Sequence, residues 1–149
     1  MNQMQFLAYC LQKPSAYLDY PFEPMTPVVK VGVPQQSKGR IFAQMLVLRG
    51  EPKITLRCTP ESAALYRSRY PGSVVPGWHC PAVQKPHFNT VCLDGSVPDD
   101  ELLRMIDHAY AVAAARLPKS VQAMLSGANV KAQDCNAQKR KKQKRRKVN

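Results

Sequence analysis

Paired cysteines, long apolar runs and acidic residues are what this chain has least of. It holds five cysteines and no CxxC pair. That odd, scattered set (Cys10, Cys58, Cys80, Cys92 and Cys135) makes a poor disulfide framework and implies a reducing compartment. No run approaches the ~18 apolar residues of a membrane span. The opening MNQMQFLAYCLQK has no basic region ahead of its apolar residues, and polar residues interrupt them, so it does not read as a signal peptide. The expected location is the cytosol, without a membrane partner and with a monomer assumed. No internal repeat is visible.

Catalytic and metal chemistry is equally thin. There is no glycine-rich phosphate loop and no pair of carboxylates placed for acid/base work. Nucleophilic catalysis needs Cys or Ser beside a base that a third group orients. Cys80 follows His79 in a loop, where adjacent side chains seldom converge. Asp107 and His108 are consecutive on a helix and face different ways. His79, Cys80, His87 and Cys92 are zinc-ligand types, but their spacing fits no structural site, and Cys92 falls within a strand. The expectation is a protein that is not an enzyme, with no cofactor and no metal.

What is present is basic charge, unevenly placed. Of 22 Lys/Arg, eight lie in residues 139–149, which contain no acid. The other 14 share residues 1–138 with all 10 Asp/Glu, a net of +4 there against +12 overall. Residues 128–138 read as a polar linker, and KRKKQKRRK after it is too dense in one charge to fold alone. A hydrophobic content of 44% over 149 residues is enough for one globular domain, which residues 1–127 would form.

The patterning within that domain alternates helix and strand. Met4, Leu7, Ala8 and Leu11 recur at helical spacing and predict a first helix over 2–12 that Lys13-Pro14 ends, with Phe6 and Tyr9 widening its apolar face and Cys10 a small residue near the core edge. A short strand is expected at Ala16–Tyr20. Residues 28–31, 41–48 and 54–58 then read as an antiparallel meander, with turn chemistry at Gly50-Glu51-Pro52. Ile54, Leu56 and Cys58 share one face of the last strand, Thr55 and Arg57 the other. Thr59-Pro60-Glu61 opens a second helix to about Arg69, with Ala64 and Leu65 inward, joined by Tyr66 and Ala63. Arg67 and Arg69 complement its dipole. Residues 76–87 are irregular, and Phe88–Leu93 is a strand. Ser96 is the expected cap of the longest helix, whose buried stripe is Leu102, Ile106, Ala109, Ala113 and Leu117. Pro118 stops it and can start a short helix with Val121, Met124 and Leu125. Gly127 is the expected C-terminal cap.

Several of these segments together resemble the MmcQ/YjbR family. They are YCLQKP (9–14), PF (21–22), VVKV (28–31), IFAQ (41–44), ITLRCTPE (54–61), YPGSVVPGWH (70–79), FNTVCLDGSVPDDEL (88–102) and MIDHAY (105–110). The resemblance covers roughly residues 2–125 in order. It implies an α+β fold, a CyaY-like two-layer α/β sandwich whose antiparallel sheet is packed by the N-terminal and late helices. Proteins of this family are usually labelled DNA-binding. The sequence departs from the family pattern in the irregular stretch 76–87 and at its junction with the strand: His79 is followed by CPAVQ before Lys85, and His87-Phe88 replaces a histidine-tryptophan pair.

The candidate nucleic-acid surface is therefore Trp78, His79, Lys85, His87 and Asn89, an aromatic beside donors and a cation. The tail adds Lys139, Arg140, Lys141, Lys142, Lys144, Arg145, Arg146 and Lys147, which must attract polyanions. DNA is the favoured partner, with RNA an alternative. The competing expectation is a small-ligand or protein-interaction module with an incidental tail.

Overall fold

A computed structural model describes residues 1–23, 26–78 and 80–125; nothing is described of the Phe22 and Glu23 side chains. His79, Gly127, the linker and the basic tail lie outside the described residues.

Among the described residues six strands form one sheet in the order β1-β2-β3-β4-β6-β5, each antiparallel to its neighbours. They are β1 (Ala16–Glu23), β2 (Thr26–Val31), β3 (Arg40–Leu48), β4 (Glu51–Arg57), β5 (Val74–Pro76) and β6 (Phe88–Cys92). The helices are α1 (Gln3–Leu11), α2 (Pro60–Arg69) and α3 (Asp99–Ala114), with residues 119–125 also helical. The expected α+β class and antiparallel meander are what the chain forms.

The core lies between one face of the sheet and α1 and α3. Val29, Val31, Ala43, Ile54, Leu56, Val74 and Val91 meet Phe6, Cys10, Leu102, Ile106, Ala109, Ala113 and Leu117. Each fully buried Leu, Ile or Phe of this set contributes about 1.5–3 kcal/mol. The expected stripe of α3 is therefore the buried one, joined by Met105. Register shifts between β2 and β3, because Val29 faces Ala43 while Lys30 faces Ile41. The extra residue, Phe42, is buried in the core edge-on to Tyr110, with ring centroids 5.5 Å apart.

Several local expectations are corrected. In α1 the buried residues are Phe6 and Cys10, while Met4 is 71% exposed. The true inner stripe starts at Gln3, a polar residue that apolar periodicity passes over. The Gln3 amide donates to the carbonyls of Leu46 and Lys53. In α2 the buried residue is Ala63, as expected, whereas Ala64 is exposed and Leu65 is 52% exposed. Its pattern is too weak to set a face, and contacts with β5 decide it. The β3–β4 turn is Arg49-Gly50, both at positive φ, which closes a two-residue hairpin between Leu48 and Glu51. Pro52 is inside β4, where its carbonyl accepts from the Leu93 amide. Ser96 does not cap α3; Pro98 holds that position, and Ser96 is tied to the Asp94 carboxylate. Three acids in the first turn of α3 complement its dipole without a side-chain cap. Met124 points outward, unlike Val121 and Leu125.

Candidate functional site

Strand pairing decides which residues of β6 can reach a ligand. Asn89 is registered with Leu56, and Thr90 with Thr55. Side chains alternate along a strand, so Asn89 shares the helix-covered face with Leu56 and Thr90 shares the opposite face with Thr55. The two threonine hydroxyls are hydrogen-bonded at 2.8 Å. Asn89 is thereby removed from the expected surface. It is 4% exposed, its Nδ2 donates to Ala63 O at 3.3 Å, and its Oδ1 accepts from Arg67 Nε at 2.6 Å. Arg67 also donates from Nη2 to the carbonyls of Lys85 (2.6 Å) and Phe88 (3.1 Å). Its role is to tie α2 to the loop and β6, which dipole complementarity had not suggested.

The loop before β6 is pinned over the sheet face that is helix-free among the described residues. Gly77 N donates to Phe88 O at 3.0 Å, and Trp78 N donates to Thr90 Oγ1 at 2.8 Å. A Cβ on Gly77 would lie 2.6 Å from Cys80 Sγ and 2.9 Å from Phe88 Cβ, so the approach requires glycine. Trp78 emerges 43% exposed. Lys85 Nζ reaches back to Gly77 O at 3.4 Å, and residues 85–87 form a single 3₁₀ turn. The His87 carbonyl accepts from Cys58 N, and its residue is half-buried. Of the expected loop residues, the structure brings Trp78, Lys85 and His87 to one region and turns Asn89 inward.

A broad groove of about 980 Å³ runs from this loop across the helix-free face to the end of α3. Its floor includes Gln44 and Thr55. Lys38, Arg40, Arg57, Arg116, Trp78 and Phe88 give it its chemistry, and no acid is among the described residues that line it. The Arg57 guanidinium lies 5.0 Å from the centroid of the Phe88 ring. Elsewhere the described cations are largely engaged: Lys30 pairs with Asp19, Lys13 with Asp107, Arg69 and Arg104 with Glu101. Lys53 contacts Glu51 and donates to Cys92 Sγ at 2.9 Å.

Cys10, Cys58 and Cys80 are poorly suited to attack. Burial pushes Cys10 up to about 12 and Cys58 up to about 11. Cys80 is raised by burial too, against an opposing effect of Lys85. A raised pKa leaves little thiolate near neutral pH. Among the described residues no three His, Cys, Asp or Glu converge as a metal site.

The YjbR family model matches residues 11–112. The chain belongs to the YjbR family. It is 30% identical over 125 residues to YjbR of Escherichia coli K12, across 84% of this chain and 98% of that protein. It is 30% identical over 112 residues to YbdF of Escherichia coli O157:H7, across 75% and 84% of the two chains. Both relatives are described as uncharacterized proteins. A crystal structure from Deinococcus radiodurans carrying the domain DUF419 superposes with a TM-score of 0.74 at 28% identity, covering 84% of this chain and 88% of that one. A Pseudomonas syringae crystal structure gives 0.62 at 22% identity, over 76% and 99%, and bears on the fold alone.

The YjbR match spans all six strands, so Arg40 and Arg57 belong to the family frame, whereas Arg116 lies beyond it. Sequence reading missed Lys38, Arg40, Arg57, Arg116 and Phe88 as site residues. One signal was available: alternation along 54–58 already put Thr55 and Arg57 on the face opposite the core. No helix among the described residues is long and apolar enough to cross a membrane.

Proposed function

We propose that this YjbR-family protein is a non-enzymatic nucleic-acid-binding protein whose contact surface is the helix-free face of the sheet. The observation that carries the reading is the groove lined by Lys38, Arg40, Arg57 and Arg116, with Trp78 and Phe88 beside them and no described acid. Unneutralised cations supply phosphate affinity, and an exposed indole offers a base a stacking partner. Lys85 and His87 extend the surface along the loop. The basic tail from Lys139 to Lys147 adds sequence-independent attraction. DNA is the favoured form, in keeping with the family label, and RNA offers the same phosphates.

Amide shift mapping with a short oligonucleotide, in single-stranded and duplex form, tests the reading. Shifts centred on residues 38–41, Thr55, Trp78 and Arg116 are expected. Shifts confined to the tail would leave the groove without this role, and small-molecule binding there without oligonucleotide binding would favour a ligand-binding module.

A further inference from the structure

Arg57 ends β4 and is registered with Phe88 across the strand pair. It is only 9% exposed, and its Nε is fully buried without a hydrogen-bond partner. Buried polar atoms are nearly always satisfied, and buried cations are nearly always paired. Arg57 makes no ion pair or hydrogen bond among the described residues. The cations acting on it are Arg116 and Arg40. Burial first, and then Arg116, push the guanidinium's pKa down; Cys58 opposes them, and Arg40 adds a smaller downward push. A guanidinium nevertheless stays protonated in a protein. The fold thus holds three positive charges around one recess with no described counter-charge.

Phe88 holds the orientation. An arginine stacked on an aromatic ring uses its planar face and keeps its edge donors for an oxyanion. Three cations converging on one recess suit a phosphate group, whose charged oxygens accept from several donors at once and which as a monoester carries about −1.5 to −2. Arg40 and Arg116 are exposed, so the recess is reachable along the groove.

We propose that Arg57, flanked by Arg40 and Arg116, is a binding subsite for one phosphate group. The inference deepens the nucleic-acid reading of the same face, and that reading would make this phosphate a backbone diester. A free phosphate monoester presents the same kind of charged oxygen, with one more of them and a larger charge.

The test is titration of the full-length, isotope-labelled protein with inorganic phosphate, replacing chloride at constant ionic strength. Saturable amide shifts are expected at Thr55, Arg57, Phe88 and Arg116. The double variant Arg40→Gln/Arg116→Gln changes only exposed side chains and is expected to weaken phosphate binding by about tenfold or more. Arg57→Gln is expected to abolish it. Shifts that do not saturate, or an affinity unchanged in the double variant, would overturn the subsite. Two further probes separate the sources: glycerol phosphate as monoester and a dinucleotide as diester, with binding of either at these residues supporting the subsite. Oligonucleotide binding on this face with no phosphate response at Arg57 overturns the subsite and leaves the interface standing. Phosphate binding at Arg57 without oligonucleotide binding sustains the subsite and removes the nucleic-acid reading.

Discussion

Arg67 on α2 donates from Nε to Oδ1 of Asn89 on β6 at 2.6 Å, and the same guanidinium holds the carbonyls of Lys85 and Phe88. One side chain thereby fixes the helix, the loop and the strand that together present Trp78. Arg67→Ala leaves a buried carboxamide oxygen without a donor, which costs about 1–3 kcal/mol for each group so orphaned. A drop of about 2–3 kcal/mol in unfolding free energy is expected from urea titration, with the m-value unchanged. A variant of native stability would show that these bonds do not hold the loop in place.

His108 gives the fold a pH dependence. Its Nε2 accepts from Thr59 N at 3.2 Å, at the start of α2, and burial lowers its pKa. The unfolded chain then binds the proton more readily than the folded one. Stability from this group is fully present above the unfolded value, about 6.5. It is lost as pH falls through the lower folded value, where protonation also removes the acceptor. The unfolding midpoint should fall on acidification below about pH 6.5, and His108→Gln should flatten that slope. An identical pH profile in the variant would assign the dependence to another group.

What the sequence made legible was local. Thr59-Pro60-Glu61 reads as a helix start from neighbouring residues alone, and Thr59 Oγ1 does accept from Ser62 N at 3.3 Å. The stripe from Leu102 to Leu117 is a period within one segment. Asn89 was misjudged because its direction depends on β6 pairing with β4, a partner about 35 residues earlier in the chain, as in the Thr55–Thr90 contact. Arg57 was placed on the correct face but not seen as a site, since its neighbours Arg40 and Arg116 arrive from β3 and the end of α3. Long-range register, which one-dimensional periodicity does not encode, separates the two groups.

The first helix offers a direct check on its corrected face. Phe6 is completely buried in the core, whereas Met4 and Leu11 are exposed. Phe6→Ala should cost about 3–5 kcal/mol through lost burial and the cavity left behind. Met4→Ala and Leu11→Ala should each stay within about 0.5 kcal/mol, as surface changes do. Denaturant midpoints for the three variants read this directly. Comparable losses at Leu11 and Phe6 would mean that the helix is rotated about its axis.

The salt dependence of oligonucleotide binding separates the tail from the groove. Each phosphate neutralised on duplex DNA contributes about −0.9 to the slope of log affinity against log salt. Eight tail cations can therefore account for a slope of at most about −7. The four groove cations, Lys38, Arg40, Arg57 and Arg116, can account for no more than about −4. Removing residues 128–149 should reduce the slope toward the groove's share without abolishing binding at low salt. Trp78→Ala in either form should weaken single-strand affinity by about 1–3 kcal/mol, the worth of one base stack, and leave the slope alone because it removes no charge. Fluorescence anisotropy across a salt series measures both quantities. If truncation leaves the slope unchanged, the tail takes no part in binding; if Trp78→Ala alters only the slope, the indole is not a stacking partner.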